Sequence, residues 1–453
     1  MAGAMAPNPR CWKQCSFVVE ARLSETRIMR LSVEPNGWLH QFGAPLTVRN
    51  FRRYVTGQAL SLIGTWVETV AQGLLVLQLT HSGLLLGLTT AARYAPVLLL
   101  SPYAGLLVDR YDKRWVLLVT QIGLGGVSFL LGLAVLTGEV GLWQITILAI
   151  VFGTLSAADN PARLAFVSEV VGPSLVRNAI ALNSTLVNVA RVLGPTIAAV
   201  VIHSAGIGWC FVINAASFLL VVGSLLTLDI SQLHPTDPIG SVRGQFRDGL
   251  RYAATIPEII RPLLMMALVG TLAFEYEVTL PLLAHGTFHG GPDAYCWLLR
   301  AFGIGAVIGG AWAAGRSRTG VIPLTRVAFS YAAAMMTLAL SPTLWAAVMA
   351  AGLVGLATIF FLTTGNSTVQ LASEPRYRGR IMALWSSALV GSTPIGAPIV
   401  GAVSQVFDPR AAIALGAIAC LIAGVIGRSG LPKFRKASST TVEPKEPSIK
   451  RGA

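Results

Sequence analysis

The stretch GLLVDRYDKR, residues 105–114, is a short charged turn between two long apolar segments, residues 83–108 and 115–137. An apolar segment of about 20 residues is long enough to cross a bilayer as a helix. We therefore predict two membrane-spanning helices joined by a tight loop. Basic loops are retained on the cytoplasmic side of membranes, so Arg110, Lys113 and Arg114 predict that this loop is cytoplasmic.

The composition extends this prediction to the whole chain. Of its 453 residues, 54% are hydrophobic and only 12% are charged, whereas soluble domains have about 25% charged residues. The net charge of +14 would indicate a nucleic-acid partner in a soluble protein. Here the basic residues lie in short loops between apolar segments, so we expect a protein embedded in a lipid bilayer, with no nucleic-acid partner.

The hydropathy pattern predicts an all-α membrane protein with twelve spans. They cover residues 53–79, 83–108, 115–137, 142–158, 179–203, 209–228, 262–284, 294–314, 321–340, 344–363, 379–407 and 409–426. We expect a cytoplasmic N-terminal tail (1–50) with no cleavable signal peptide, a six-helix bundle (51–228), a cytoplasmic linker (229–261), a second bundle (262–428) and a disordered cytoplasmic tail (429–453).

Lysine and arginine residues predict the orientation of these spans. Thirty of the 34 basic residues fall in the tails, in the loops on the side of residues 109–114, or in the ends of the spans that adjoin them. This bias predicts a multi-pass protein of the bacterial inner or plasma membrane with both termini in the cytoplasm.

The linker and the two bundles carry further patterns. In residues 240–257, Arg243, Arg247 and Arg251 recur every four residues opposite an apolar face, which is typical of a helix on a membrane surface and also of a solvated linker helix. A weak repeat of roughly 200 to 210 residues relates the bundles, as expected of a duplicated transporter.

These motifs resemble those of the major facilitator superfamily. Gly105, Asp109, Arg110, Lys113 and Arg114 match its loop pattern G-x3-D-R-x-G-[RK]-[RK], except that Asp112 stands where the second glycine is expected. The chain is also similar to the enterobactin-exporter-like branch of prokaryotic efflux carriers, in the segments DNPAR (159–163), ALNS (181–184), NAASF (214–218) and RGR (378–380). The resemblance implies two pseudo-symmetric six-helix halves, alternating access and a gating role for the loop.

Six ionisable residues stand out inside the predicted spans: Glu68, Arg93, Arg191, Glu275, Glu277 and Arg300. A charge at the bilayer centre costs roughly 3 kcal/mol on insertion scales, so it needs a partner, a water-filled cavity or a function. In the first span Ser61, Thr65, Glu68 and Gln72 form one polar stripe. Glu68 and Arg93 lie at matching depth in antiparallel helices, so we predict that they pair.

The second half repeats part of this arrangement. Thr271, Glu275 and Thr279 form a stripe in the seventh span, and Glu277 is about 200° away around the same helix. We therefore predict a structural Glu277–Arg300 ion pair and a functional Glu275. In the fifth span Asn188 and Arg191 share a face, where Arg191 is available to an anionic substrate or to an acid of the cavity.

A proton-coupled mechanism needs a carboxyl group whose protonation depends on conformation. Burial favours the neutral form of a carboxyl group and a nearby arginine favours the charged form. Glu68 and Glu275, with Arg93, are the candidates for coupling; static ion pairs are the alternative reading. For the inner gate we expect Gly105 to allow close helix packing. We expect Asp109 to bond with Arg163 or to lie at the N-terminus of the eleventh span. Arg110 and Arg378 are further candidates for the gate.

The remaining residues do not favour an enzyme. The six histidines are scattered without an H-E-x-x-H pattern and there is no G-x4-G-K-[ST] loop, so we predict no metal, no cofactor and no ATP. The chain is predicted to be a monomeric secondary transporter that exports a small amphipathic molecule, a siderophore or drug, in exchange for protons. Uptake with protons, and a non-transporting receptor or scaffold, are the alternatives.

Overall fold

The computed structural model describes residues 43–234, 245–314, 319–374 and 376–429. Within these ranges, twelve helical segments are long and apolar enough to cross a membrane, as the hydropathy pattern predicts. Residues 1–42 of the predicted N-terminal tail, 235–244 of the linker and 430–453 of the predicted C-terminal tail lie outside the described residues.

The first six spans are continuous helices of 20 to 32 residues. They are α1 (Arg49–Thr80), α2 (Gly83–Arg110), α3 (Lys113–Leu136), α4 (Leu142–Val171), α5 (Val176–Ser204) and α6 (Ile207–Leu226).

A short linker helix, α7 (Gln245–Thr255), precedes the second set of spans, two of which are broken. The seventh span consists of α8 (Pro257–Leu272), α9 (Tyr276–Leu282) and a π-helical turn (Leu283–Thr287). The others are α10 (Pro292–Ala314), α11 (Val321–Ala339), α12 (Leu344–Ala372), the pair α13 (Arg378–Val390) and α14 (Thr393–Val406), and α15 (Pro409–Arg428).

Two helices extend well beyond their predicted ends: α4, and α12, which continues to Ala372. The polar residues from 159 onward were expected to leave the membrane, yet α4 continues to Val171. The reason is local, because Asp159 and Arg163 are one turn apart on α4 and form an ion pair. Thr120 and Gln121 of α3 donate further hydrogen bonds to Asp159, so the polar turn stays helical and buried.

The helix contacts of the first six spans recur in the second six. Span 1 packs on spans 5 and 6, span 2 on span 4, and span 3 on spans 4 and 6; the same pairs are found with each number raised by six. The halves meet where span 2 packs on span 11 and span 5 packs on span 8. These two contacts are equivalent, because span 8 corresponds to span 2 and span 11 to span 5. The fold is therefore two pseudo-symmetric six-helix halves.

We name the two ends of the bundle after their turns, the Asp109 end and the Ser82 end. At the Ser82 end α2 and α14 approach so closely that a Cβ on Gly401 would overlap the backbone of Gly83. Toward the Asp109 end, Tyr103 and Leu107 of α2 are exposed, and a Cβ on Gly105 would meet nothing within 4 Å. The halves are thus closed against each other at the Ser82 end. The expectation that Gly105 mediates close helix packing is not met in this conformation, because no described atom lies within 4 Å of a Cβ at this position.

The charged turn at the Asp109 end is fastened to its own half. The Asp112 carboxylate accepts a hydrogen bond of 2.8 Å from the Arg114 backbone and caps the start of α3. Arg114 Nε donates to the carbonyl of Leu225 at the end of α6 (2.9 Å). Lys113 Nζ lies 3.1 Å from Glu169 Oε1 on α4. Asp112, which departs from the superfamily pattern, therefore serves as a helix cap.

The linker helix α7 packs on the Asp109 end of the second half. Tyr252 stacks on Tyr377 with 4.1 Å between ring centroids, Ala253 is fully buried, and Asp248 lies 3.9 Å from Arg380 of α13. Leu250 remains 48% exposed. One face of the predicted amphipathic helix is thus taken up by protein contacts.

Candidate substrate and proton site

A central cavity of about 200 Å³ lies where the two halves meet. Its walls come from both halves, and its described lining is Tyr94, Arg191, Phe274, Glu275, Tyr276, Glu277, Thr358, Leu362, Leu389 and Thr393. Two acids, one arginine and several aromatic rings therefore share one small space. Broken membrane helices commonly build such sites, because their free backbone ends and side chains face the cavity.

The break in the seventh span decides how its two acids are placed. The helix stops at Leu272 and restarts at Tyr276, with Glu275 in the cap position between α8 and α9. A continuous helix would point Glu275 and Glu277 in opposite directions, whereas the break lets both line the cavity. Thr271 and Thr279, predicted on the same stripe as Glu275, are not among the described lining of this cavity, so their role in a substrate cavity stays a prediction.

The predicted Glu277–Arg300 ion pair is also wrong. The hydroxyl of Tyr94 donates to the Glu277 carboxylate at 3.1 Å, and Glu277 also borders a second, smaller cavity beside Gln72 and Arg93. Arg300 instead lies over the Trp297 ring, 4.6 Å from its centroid. Glu277 therefore belongs to the interface of the halves, where Tyr94 of α2 meets it.

Arg191 lies beside two stacked aromatic rings that belong to different halves. Its Cζ is 5.1 Å from the centroid of Trp66 on α1 and 5.8 Å from that of Tyr276 on α9. Trp66 and Tyr276 stack on each other with centroids 6.5 Å apart. Cation–π contacts of this kind hold a guanidinium without neutralising it. The side chain of Asn188, predicted on the same face, lies outside the described side chains.

A buried polar cluster surrounds Glu68 inside the first half. Glu68 is 2% exposed and accepts hydrogen bonds from Ser128 (2.5 Å) and Asn214 (2.6 Å). Arg93 Nη1 lies 3.9 Å from Glu68 Oε1 and donates a shorter bond, 2.6 Å, to Gln72. The prediction from matching depth that Glu68 and Arg93 lie close together is therefore confirmed. The contacts of Glu68 with Ser128 and Asn214 were not predicted, because these residues lie on other helices.

The other predicted residues of this half line a neighbouring cavity of about 340 Å³. Ser61 and Thr65 border it together with Arg93, Asp159 and Arg163. Arg163 is engaged with Asp159 on its own helix. The Asp109 side chain lies outside the described side chains, so the proposed Asp109–Arg163 gate stays a prediction, as do the gating roles of Arg110 and Arg378.

Comparison with known proteins identifies the family. Residues 41–451 match the family described as transmembrane secretion effector. The chain belongs to this family of the major facilitator superfamily. The chain is similar to the enterobactin exporter EntS of Salmonella paratyphi A. The two are 25% identical over 412 residues, which is 89% of this chain and 97% of that protein. The staphyloferrin A transporter of Staphylococcus aureus is 27% identical over 269 residues, 56% of this chain and 64% of that protein.

Solved structures of other transporters share the fold of this chain. The nucleoside transporter NupG has a TM-score of 0.65 at 13% identity and covers 84% of this chain and 98% of its own. A bacterial homologue of the human lysosomal transporter Spinster has a TM-score of 0.61 at 17% identity, with 83% and 95% covered. The family match and the twelve candidate spans show that the chain is a multi-pass membrane transporter and not an enzyme.

Proposed function

We propose that this chain exports a small amphipathic molecule, of the siderophore or drug class, in exchange for protons by alternating access. The observation that carries the proposal is the central cavity at the break of the seventh span, where Glu275, Glu277 and Arg191 meet between the halves. A cavity at the contact of two rocking halves is reachable from one side at a time.

The lining favours a substrate with both aromatic and anionic character. Trp66 and Tyr276 offer aromatic surface, and Arg191 offers a positive charge beside them. A catecholate or carboxylate substrate would bind by ionic contact to Arg191 and by stacking on the rings. The relatives named for enterobactin and staphyloferrin A, both siderophores, support export of this class.

Protons are proposed to act through Glu68 and Glu275, each 2% exposed. A buried carboxyl group exchanges its proton when its surroundings change. Glu68 lies beside Arg93, whose nearest acceptor is Gln72. A small movement of α2 against α1 therefore strengthens or weakens the contact of Arg93 with Glu68, and this couples rocking to proton release.

The orientation forms part of the proposal. The basic residues are concentrated at the Asp109 end, so this end and both termini are assigned to the cytoplasm. The protein then acts as a monomer in the inner or plasma membrane, closed at the outer Ser82 end in the conformation described here.

Transport into inside-out vesicles tests the proposal, with enterobactin, staphyloferrin A and ethidium as probes. We expect an acidic vesicle interior to drive accumulation of at least one probe by the wild type. Glu68→Gln and Glu275→Gln should lose this accumulation and still exchange probe across the membrane at equal pH. Glu139→Gln is the matched control, because Glu139 is exposed in the turn between α3 and α4.

The outcome separates the alternatives. Proton-driven accumulation that survives in both buried-acid variants rules out coupling through these residues. Proton movement in the same direction as the probe identifies an uptake symporter. A protein that binds a probe and moves none of the three contradicts the transport proposal for this substrate class.

A further inference from the structure

The largest described cavity lies away from the central one, and we call it the lateral groove. It has a volume of about 870 Å³ and lies between α10, α11 and α12 at the Asp109 end. Both α10 and α11 pack on α12, so α12 forms the floor of the groove. The transport proposal does not use this groove.

Apolar and polar side chains both line the lateral groove, and its outer edge includes apolar Leu371. Phe360 and Val327 lie deeper, while Ser367 and Gln370 lie nearer the Asp109 end of α12. Arg326 stands between them, five residues into α11, or about 7.5 Å from its start. A long arginine side chain at this depth extends toward the headgroup region of a bilayer. An apolar wall of Phe360 and Val327 below the cationic Arg326 therefore suits a phospholipid, with an acyl chain in the deeper part and the headgroup near the arginine.

The charge of the groove is positive. Arg326 is exposed, it forms no ion pair within the described residues, and no acidic side chain is found among the described lining. In the first half, the equivalent junction of α3 and α4 is joined by the ion pair of Lys113 with Glu169. In the second half the junction of α11 and α12 is made by neutral groups, with the Gly320 amide donating to Thr368 Oγ1 at 2.9 Å. Among the described residues, the arginine charge therefore has no acidic partner.

We propose that the lateral groove binds one anionic phospholipid, with its phosphate on Arg326 and one acyl chain along Phe360 and Val327. Electrostatic complementarity selects the headgroup, since a basic side chain at the membrane surface attracts anionic lipid. The apolar part of the groove holds the chain and distinguishes the lipid from free phosphate.

Native mass spectrometry of the purified full chain in detergent tests the site, with added phosphatidylglycerol, phosphatidylcholine or inorganic phosphate. We expect the wild type to retain one phosphatidylglycerol in preference to phosphatidylcholine. Arg326→Gln should lower that retention about fivefold, the equivalent of about 1 kcal/mol for one basic residue at a membrane surface. Arg326→Lys keeps the charge and should keep most of the binding. Arg52→Gln, an exposed arginine on α1 at the same end, should change it little.

Three results would overturn the proposal. Equal losses in Arg326→Gln and Arg52→Gln mean that lipid binds non-specifically to surface charge. Equal losses in Arg326→Gln and Arg326→Lys mean that the arginine supports the helix packing rather than the lipid. Displacement of the lipid by inorganic phosphate at equal concentration means that the groove is a phosphate site. The melting temperature of each variant, measured alongside, identifies a protein that fails to fold, and Thr363→Leu then replaces it as the variant that blocks the groove.

Discussion

The hydroxyl of Ser82 donates a hydrogen bond of 2.7 Å to Gln405 Oε1, and this contact joins the two halves of the chain at the Ser82 end. The same amide oxygen accepts a second bond, 3.0 Å, from the backbone of Leu84. One glutamine of α14 therefore holds the first turn of α2, directly beside the close approach of Gly83 and Gly401. Closure at this end depends on few polar contacts.

Replacing Gln405 with alanine should loosen the closed Ser82 end. Two hydrogen bonds of about 1 kcal/mol each are lost, so the population open at that end should rise roughly 5- to 30-fold. The rate of maleimide labelling of Thr89→Cys measures this opening, because Thr89 is 3% exposed and lines the small cavity beside Glu277. Labelling from the Ser82 side should become faster by this factor.

The labelling is made in a chain whose Cys11 and Cys15 are replaced by serine, since the other three cysteines are buried. Gln232→Ala is the control, because Gln232 is exposed and its described side-chain bond is to nearby Asp229. An unchanged labelling rate in Gln405→Ala would show that apolar packing alone closes this end.

Breaking the ion pair of Lys113 with Glu169 should destabilise the Asp109 end of the first half. The two side chains are 14% and 9% exposed, so the cost of Glu169→Gln lies between those of exposed and buried pairs, at about 2 kcal/mol. We expect a melting temperature lower by roughly 4 °C, measured by intrinsic fluorescence in detergent. Lys113→Gln combined with Glu169→Gln should recover part of the loss, because no unpaired charge remains. A double variant as unstable as the sum of the single variants contradicts a direct interaction.

The spans were predictable from the sequence because hydropathy and loop charge are local properties. Glu68 and Arg93 were also paired correctly, since depth follows from counting residues along two antiparallel helices. The break at Glu275 was not predictable in this way, because residues 271–280 contain no glycine or proline that would mark it. Asp159 was placed in a loop because its partners Thr120 and Gln121 become visible only when α3 packs on α4.

The gating prediction for Asp109 remains open to a direct test. An Asp109→Asn protein should insert and melt like the wild type, because the described anchors of the turn are Asp112, Lys113 and Arg114. Transport should nevertheless fall if the Asp109 carboxylate closes the gate in another conformation. Asp112→Asn is the contrasting variant, since it affects the cap of α3. Wild-type transport by Asp109→Asn reduces the role of the turn to its basic charges.

Close packing of α10 on α12 predicts opposite effects for two glycine variants. A Cβ at Gly355 would overlap the backbone carbonyl of Phe302, whereas one at Gly126 would meet nothing within 4 Å. Gly355→Ala should therefore cost about 1–3 kcal/mol through overpacking. Gly126→Ala should be neutral or stabilising by up to about 1 kcal/mol, since alanine favours helix. Thermal unfolding in detergent measures both, and similar melting temperatures for the two variants contradict the described contact.

Arg191 should discriminate between anionic and cationic substrates. Its guanidinium lies near the rings of Trp66 and Tyr276, so Arg191→Gln removes the positive charge and leaves the aromatic walls. For an anionic probe such as enterobactin we expect KM to rise about 10-fold or more, since a hydrogen bond to a charged group contributes about 1.5–3 kcal/mol. For cationic ethidium KM should stay constant or fall, because repulsion is relieved. Trp66→Phe keeps an aromatic ring and should weaken the binding of both probes modestly. An equal rise of KM for both probes in Arg191→Gln would mean that the arginine shapes the cavity without reading substrate charge.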